Sequence, residues 1–304
     1  MFALSTSWNA SKLEGGTEIA REIAQLGFKA IELNFSLTSR MVEDISLYCR
    51  KNGIDITSLH NYCPIPENFE RHEALPDCYS LSALNEEERK QAVFFTKRSI
   101  LTAKAIGAKA VVLHSGRVEI KDHTRLLIDL YNRKETRSDK FIDIFNSFIE
   151  ERRVNAGAYV EQVIKSYADL LPIAEENNII LGVENRFYYR EIPAYDEFAV
   201  IFERFKSKTI CYWHDVGHAF ILEKLGFMPE GSLIRRYADR LAGIHLHNIK
   251  NLIDHQTPID GDFDFNTLKP YVKSDTIKTI EMSRHVEARS IKESHIFLKE
   301  LFGD

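Results

Sequence analysis

Eight short apolar runs, each with a polar residue at or next to its end and separated by longer amphipathic stretches, constrain this chain more than any other feature. They are FALSTS (2–7), FKAIELN (28–34), IDITSLH (54–60), KAVVLHS (109–115), IILGVEN (179–185), TICYWHD (209–215), LAGIHLH (241–247) and TIKTIEM (276–282). Between most of them lie helical patterns such as TEIAREIAQLG (17–27) and SRMVEDISLYCRKNG (39–53), the latter ending on a glycine in the C′ position. The last such pattern is IKESHIFLKELF (291–302). Strands alternating with helices of ten or more residues predict parallel βαβ units. Eight units predict an α/β fold, a (β/α)8 TIM barrel, as one domain over residues 1–304. An open doubly wound sheet is the alternative, but no G-x-G-x-x-G turn follows the first run. The unit after the fourth strand is overlong. Residues 116–152 predict an inserted helical segment, either a solvated decoration or a lid or oligomer contact.

Barrel enzymes keep their chemistry at the C-terminal ends of the strands. There the runs place Ser7, Asn34, His60, His114, Glu184, Asp215, His245 and Glu281. All are polar and six are metal-ligand types, whereas the opposite ends, such as Lys109 and Thr209, show no such set. Carboxylates converging in one mouth repel one another unless a cation neutralises them. Two Glu, one Asp and His make a mixed oxygen and nitrogen site suited to Mn²⁺, Zn²⁺, Co²⁺ or Mg²⁺, without the thiolates of a soft site. Each residue also has a plainer role open to it. Glu184 could pair with Arg186, Asp215 could cap the helix beginning near Val216, and His218 could be an ordinary helix histidine. His60 and His114 could be ligands, substrate contacts or buried hydrogen-bonded rings. His245 and His247 share a strand face by the period of two, and His214 points to the other face and packs. Histidines 72, 123, 255, 285 and 295 read as loop or helix residues outside the site.

The formal net charge of −5 and the absence of a Lys/Arg run argue against a nucleic-acid partner. No stretch reaches the roughly 18 apolar residues of a membrane helix, and the first residues carry no positively charged leader pattern. Cys49, Cys63, Cys78 and Cys211 form no CxxC pair and read as reduced thiols. A cytoplasmic protein acting on a small molecule is expected, with homo-oligomerisation left open.

With VVLHSGR (111–117), GVENR (182–186), HDVGHA (214–219), GIHLHNIK (243–250), PIDGDFDF (258–265) and IEMS (280–283), the chain resembles the xylose isomerase-like superfamily of divalent-metal barrels. That superfamily includes sugar and sugar-phosphate isomerases and epimerases and the zinc-dependent apurinic endonucleases. The resemblance implies one metal held by Glu184, Asp215, His245 and Glu281, with Glu184 and Glu281 also exchanging the substrate proton. His218 would contact substrate. In the endonuclease branch, His60 and His114 would hold a second zinc with Glu184. A third would need His218 and a D-x-H motif, where this sequence reads Asp254-His255-Gln256.

Two functions follow as expectations. The first is a metal-dependent isomerase or epimerase of a sugar or related polyol, with one metal per chain and a second allowed. Proton transfer would run through an enediolate between the two glutamates, and Arg186, Lys250 and Arg284 would hold substrate oxygens. The alternative is a zinc-dependent phosphodiesterase of the apurinic endonuclease type. A barrel turned to binding alone is a third reading, in which loss of carboxylates would be expected.

Overall fold

The computed structural model describes residues 1–303. Eight parallel strands close into a barrel: β1 (Phe2–Ser5), β2 (Ala30–Leu33), β3 (Asp55–His60), β4 (Ala110–Leu113), β5 (Ile180–Glu184), β6 (Ile210–Asp215), β7 (Leu241–Leu246) and β10 (Ile277–Ile280). A small antiparallel hairpin, β8 (Asn248–Lys250) with β9 (Ile253–Gln256), is set between β7 and β10.

The helices follow their sequence signals. In α2 (Ser39–Asn52), Thr38 accepts the Met41 N–H at the start and Gly53 ends the helix at φ 62°. Between β3 and β4, α3 (Glu86–Ile106) begins under the Asn85 cap and ends on Gly107 at φ 81°.

Strand alternation fills the barrel. Trp213 on β6 points inward and is fully buried with Ala110 and Val112. Its indole takes the space left by Gly182 and Gly243 on the flanking strands, where an added Cβ would lie 2.7 and 2.2 Å from the ring. A fully packed aromatic of this kind contributes about 3–5 kcal/mol. It also forms a floor: the His245 ring lies 5.4 Å above it.

The overlong unit is helical, though residue 152 is no boundary. Within it are α4 (Thr124–Asn132) and the start of α5 (Asp139–Asn177), one unbroken helix of 39 residues that continues as the crossover to β5. Arg152 ties this helix to the chain that follows β5. Its buried guanidinium donates to both carboxylate oxygens of Glu197 at 2.6 and 2.9 Å, and to the carbonyls of Tyr189 and Glu191. The helix is thereby clamped to the loop after β5.

On the outside of β6, His214 faces away from the barrel, as its alternation predicts, into a cavity of about 370 Å³. The cavity lies beside α7 (Val216–Leu225) and α8 (Ser232–Tyr237). Glu223 of α7 also lines it, and burial pushes its carboxyl up to about 7. The folded state therefore holds that proton more tightly than the unfolded chain, and stability is lost as pH rises from about 4.5 to about 7. Glu223→Gln removes the penalty and keeps an acceptor for the Gly231 N–H. We expect it to be more stable than wild type by about 2–3 kcal/mol at pH 8, with the difference shrinking at pH 5. Urea midpoints at the two pH values check this; an equal difference at both would contradict it.

Candidate active site

Inward-facing residues at the C-terminal ends of the strands converge on one point, the Nδ1 atom of His245. Glu184 Oε1 lies 2.7 Å from it, Glu281 Oε2 3.2 Å and Asp215 Oδ2 3.7 Å. The register makes this inevitable once the barrel closes: Asp215 and Thr279 pair directly with His245 on either side. All four residues of the expected ligand set therefore meet. Their grouping is not a simple tetrad. Glu184, His245 and Glu281 cluster with His60, while Asp215 clusters with His247 and His255 or with Glu184 and His218.

Beneath them lies a carboxylate that the sequence reading did not mark. Glu32, in the middle of β2, is fully buried. It accepts from His245 Nε2 at 3.1 and 3.2 Å, from Ser58 Oγ at 2.7 Å and from Thr279 Oγ1 at 3.3 Å. Burial pulls the His245 ring down, but Glu32 and Glu281 outweigh it and hold the ring well above its ordinary value. Both nitrogens of His245 are thus engaged by carboxylates, and the ring is fixed in place.

Two residues combine roles that sequence reasoning had treated as alternatives. Asp215 Oδ1 accepts the His218 N–H at 2.7 Å and so caps α7. The same carboxylate accepts from His247 Nε2 at 3.1 Å. A carboxylate has lone pairs enough for both. Glu184 is likewise paired with Arg186 while it faces the cluster. Burial would raise the Glu184 carboxyl, but Arg186 and His114 more than reverse it and hold it well below the usual carboxylate range. Burial raises Asp215 too, and His218 and His247 bring it well below.

His60 and His114 stand at the edge of this cluster, 5.1 Å apart between rings. His114 Nε2 accepts from Arg186 at 2.8 Å and lies 2.9 Å from Glu184 Oε2. Burial and the Arg186 charge push the His114 ring well below its ordinary value, which keeps it neutral. Both nitrogens of His60 and Nδ1 of His114 are buried without a hydrogen-bond partner. Orphaned buried imidazole nitrogens need a reason, and for the His60 lone pair, beside several buried carboxylates, a divalent cation supplies one. The donor set fits such an ion: oxygens from Glu184, Asp215 and Glu281, nitrogen from His245, and a carboxylate behind that ring to orient it.

The rim corrects several expectations. His255, read from sequence as a residue outside the site, lines the cavity with Asp254 and His218. Its backbone is left-handed, at φ 55°, so adjacent Asp254 and His255 turn toward the same space and need no intervening residue. His255 Nδ1 lies 3.1 Å from Asp254 Oδ2, and His218 Nε2 lies 3.9 Å from it. Burial lowers the His255 ring, but Asp254 outweighs it and lifts it to about 9. Gly217 is required here by close approach: a Cβ on it would lie 2.1 Å from the His247 ring.

Lys250 and Arg284 do not line the cavity. Lys250, the last residue of β8, is exposed and binds Asp260 at 2.8 Å, and Arg284 is exposed beside His285. Arg186 does line it, its charge already shared among Glu184, Glu191 and His114. The long fourth unit supplies a further cation, Arg125 of α4, which donates to the Tyr188 hydroxyl at 2.9 and 2.6 Å. With Phe35 and Phe187, these residues bound a cavity of about 220 Å³ over the cluster.

A sequence profile of the family described as xylose isomerase-like TIM barrel matches residues 20–301. Among solved structures, a D-tagatose 3-epimerase-like protein superposes with a TM-score of 0.66 at 17% identity, over 99% of this chain and 96% of that one. A 3-keto-D-glucoside 4-epimerase from E. coli gives 0.68 at 15% identity, over 98% of each chain. An AP endonuclease, family 2, from Brucella melitensis gives 0.65 at 15% identity, again over 98% of each. Identities this low establish a shared fold. No curated protein matches the sequence. Among the described residues, no helix is long and apolar enough to cross a membrane.

Proposed function

We propose that this chain, which belongs to the xylose isomerase-like TIM barrel family, is a divalent-metal-dependent isomerase or epimerase of a sugar or related polyol. One observation carries the reading: two carboxylates, Glu184 and Glu281, approach a single point from β5 and the end of β10, under a cavity of about 220 Å³. That volume suits a monosaccharide-sized molecule. The structural neighbours whose titles name sugar epimerases agree with it.

Glu184, Asp215, His245 and Glu281 would hold the metal. When bound, the metal supplies Lewis acidity to adjacent substrate oxygens, lowering the cost of removing the proton beside a carbonyl. The protein supplies the proton path. Arg186 keeps Glu184 in the carboxylate form that accepts a proton from the substrate carbon. The C–H electron pair passes into an enediolate, and Glu281 returns a proton to the carbon from its own side. Exchange of those carboxyl protons with water resets the pair. Phe35 and Phe187 give the cavity apolar walls that limit water around the reacting carbon.

Protein purified without chelator should carry about one divalent metal per chain and should incorporate deuterium from D₂O into a ketose. Chelation should stop the exchange and restored metal should recover it. Metal-free protein that exchanges as fast would sink the proposal.

A second reading has its own observation. His218, Asp254 and His255 form another ligand-type group beside the first, and with His60 and His114 this allows more than one metal, as phosphoester hydrolysis on abasic DNA would use. Two or three metals per chain, with cleavage of an abasic duplex, would decide for it.

A further inference from the structure

We infer that the cavity outside the barrel is a second ligand site, which takes a compact aromatic or cyclic molecule carrying an ammonium or amidinium head. At about 370 Å³ it lies within the range of small-molecule pockets. Phe220, Ile234, Phe263 and Leu268 give it apolar walls, and His214 and Glu223 give it a polar end.

Hydrogen-bond directions fix what that end offers. Asn185 Nδ2 donates to the Asp215 carbonyl at 2.9 Å, and its Oδ1 accepts the Asp215 N–H at 2.8 Å. The amide orientation is therefore set. Tyr212 gives its only hydroxyl proton to Asn185 Oδ1 at 3.1 Å. His214 Nδ1, 2.6 Å from the Tyr212 oxygen, must then be the donor of that pair. In the neutral ring this leaves Nε2 as a bare acceptor. Among the described residues Nε2 has no hydrogen-bond partner, although the residue is only 3% exposed and lines the cavity.

Glu223 is the second acceptor. One of its oxygens takes the Gly231 N–H at 2.8 Å, and among the described residues no Lys or Arg lies within 4.0 Å of it. The nearby cations are occupied: Lys224 pairs with Glu230, and Arg235 donates to the Glu230 carbonyl at 2.6 Å. A carboxylate and an imidazole lone pair over an apolar wall call for several N–H donors and one positive charge. A carboxylate or phosphate ligand would face two acceptors at that end, while Lys224 and Arg235, which also line the cavity, are already engaged by Glu230.

Isothermal titration of the full chain at pH 8 with benzylamine, benzyl alcohol and benzoate tests this. Benzylamine should bind, and benzoate should not. Glu223→Gln should weaken benzylamine by at least tenfold. Ala219→Leu, which fills the cavity from α7, should abolish binding. Equal binding of benzoate, unchanged affinity in Glu223→Gln, or no saturable binding of benzylamine to the wild type would overturn the assignment. None of these outcomes depends on the reaction proposed for the barrel mouth.

Discussion

Replacing Glu281 by Gln lowers the rate of deuterium incorporation into substrate by about 10³-fold and costs less stability than Glu184→Gln, since Glu32, Glu184 and Asp215 still face the His245 ring. Gln preserves the shape and one acceptor oxygen but cannot accept or release the proton. Glu281 is the cleaner of the two glutamates for this purpose. Its neighbours His60, His245 and His255 lie 3.2–4.0 Å away, and no guanidinium depends on it. Glu184→Gln would also break the buried pair with Arg186, confounding chemistry with stability. Mass-spectrometric exchange rates beside melting curves check the expectation. An exchange rate within tenfold of wild type would remove the two-glutamate proton path.

Glu32→Ala is expected to destabilise the fold by about 1–3 kcal/mol, because it takes from His245 Nε2, Ser58 Oγ and Thr279 Oγ1 the acceptor they share in a site with no exposure to water. It should also weaken metal retention by about 10–100-fold, since the ring loses the carboxylate that orients it. Denaturant unfolding of the metal-free protein reads the first effect. Metal titration reads the second, and Glu32→Gln, which keeps a hydrogen-bond acceptor without the charge, should fall between. Stability unaffected by the alanine would mean that these three donors find other acceptors.

How much of this was legible beforehand depended on whether a residue's role was set by strand parity or by loop path. His60, His114, Glu184, Asp215, His245 and Glu281 could be read because each sits at or beside a strand end, where alternation in a closed barrel leaves one direction. Glu32 obeys the same parity but sits in mid-strand within KAIELN, so a search of strand ends passed over it. A signal was present nonetheless: a charged residue inside an apolar run is rarely buried without a partner. His255 was legible to no periodic rule, because a left-handed residue cancels the alternation that D-x-H patterns assume. Lys250 and Arg284 failed because both are exposed and neither lines the cavity.

The sequence by itself determined the barrel, the order of its strands and the residues aimed into its mouth, since hydrophobic periodicity is local and closure turns it into geometry. Only the tertiary structure decided which of those residues share a charge. Glu32 beneath His245, His114 beside Glu184, and His247 on Asp215 are contacts between residues far apart in the chain. Their energies come from burial and distance, which no local pattern records.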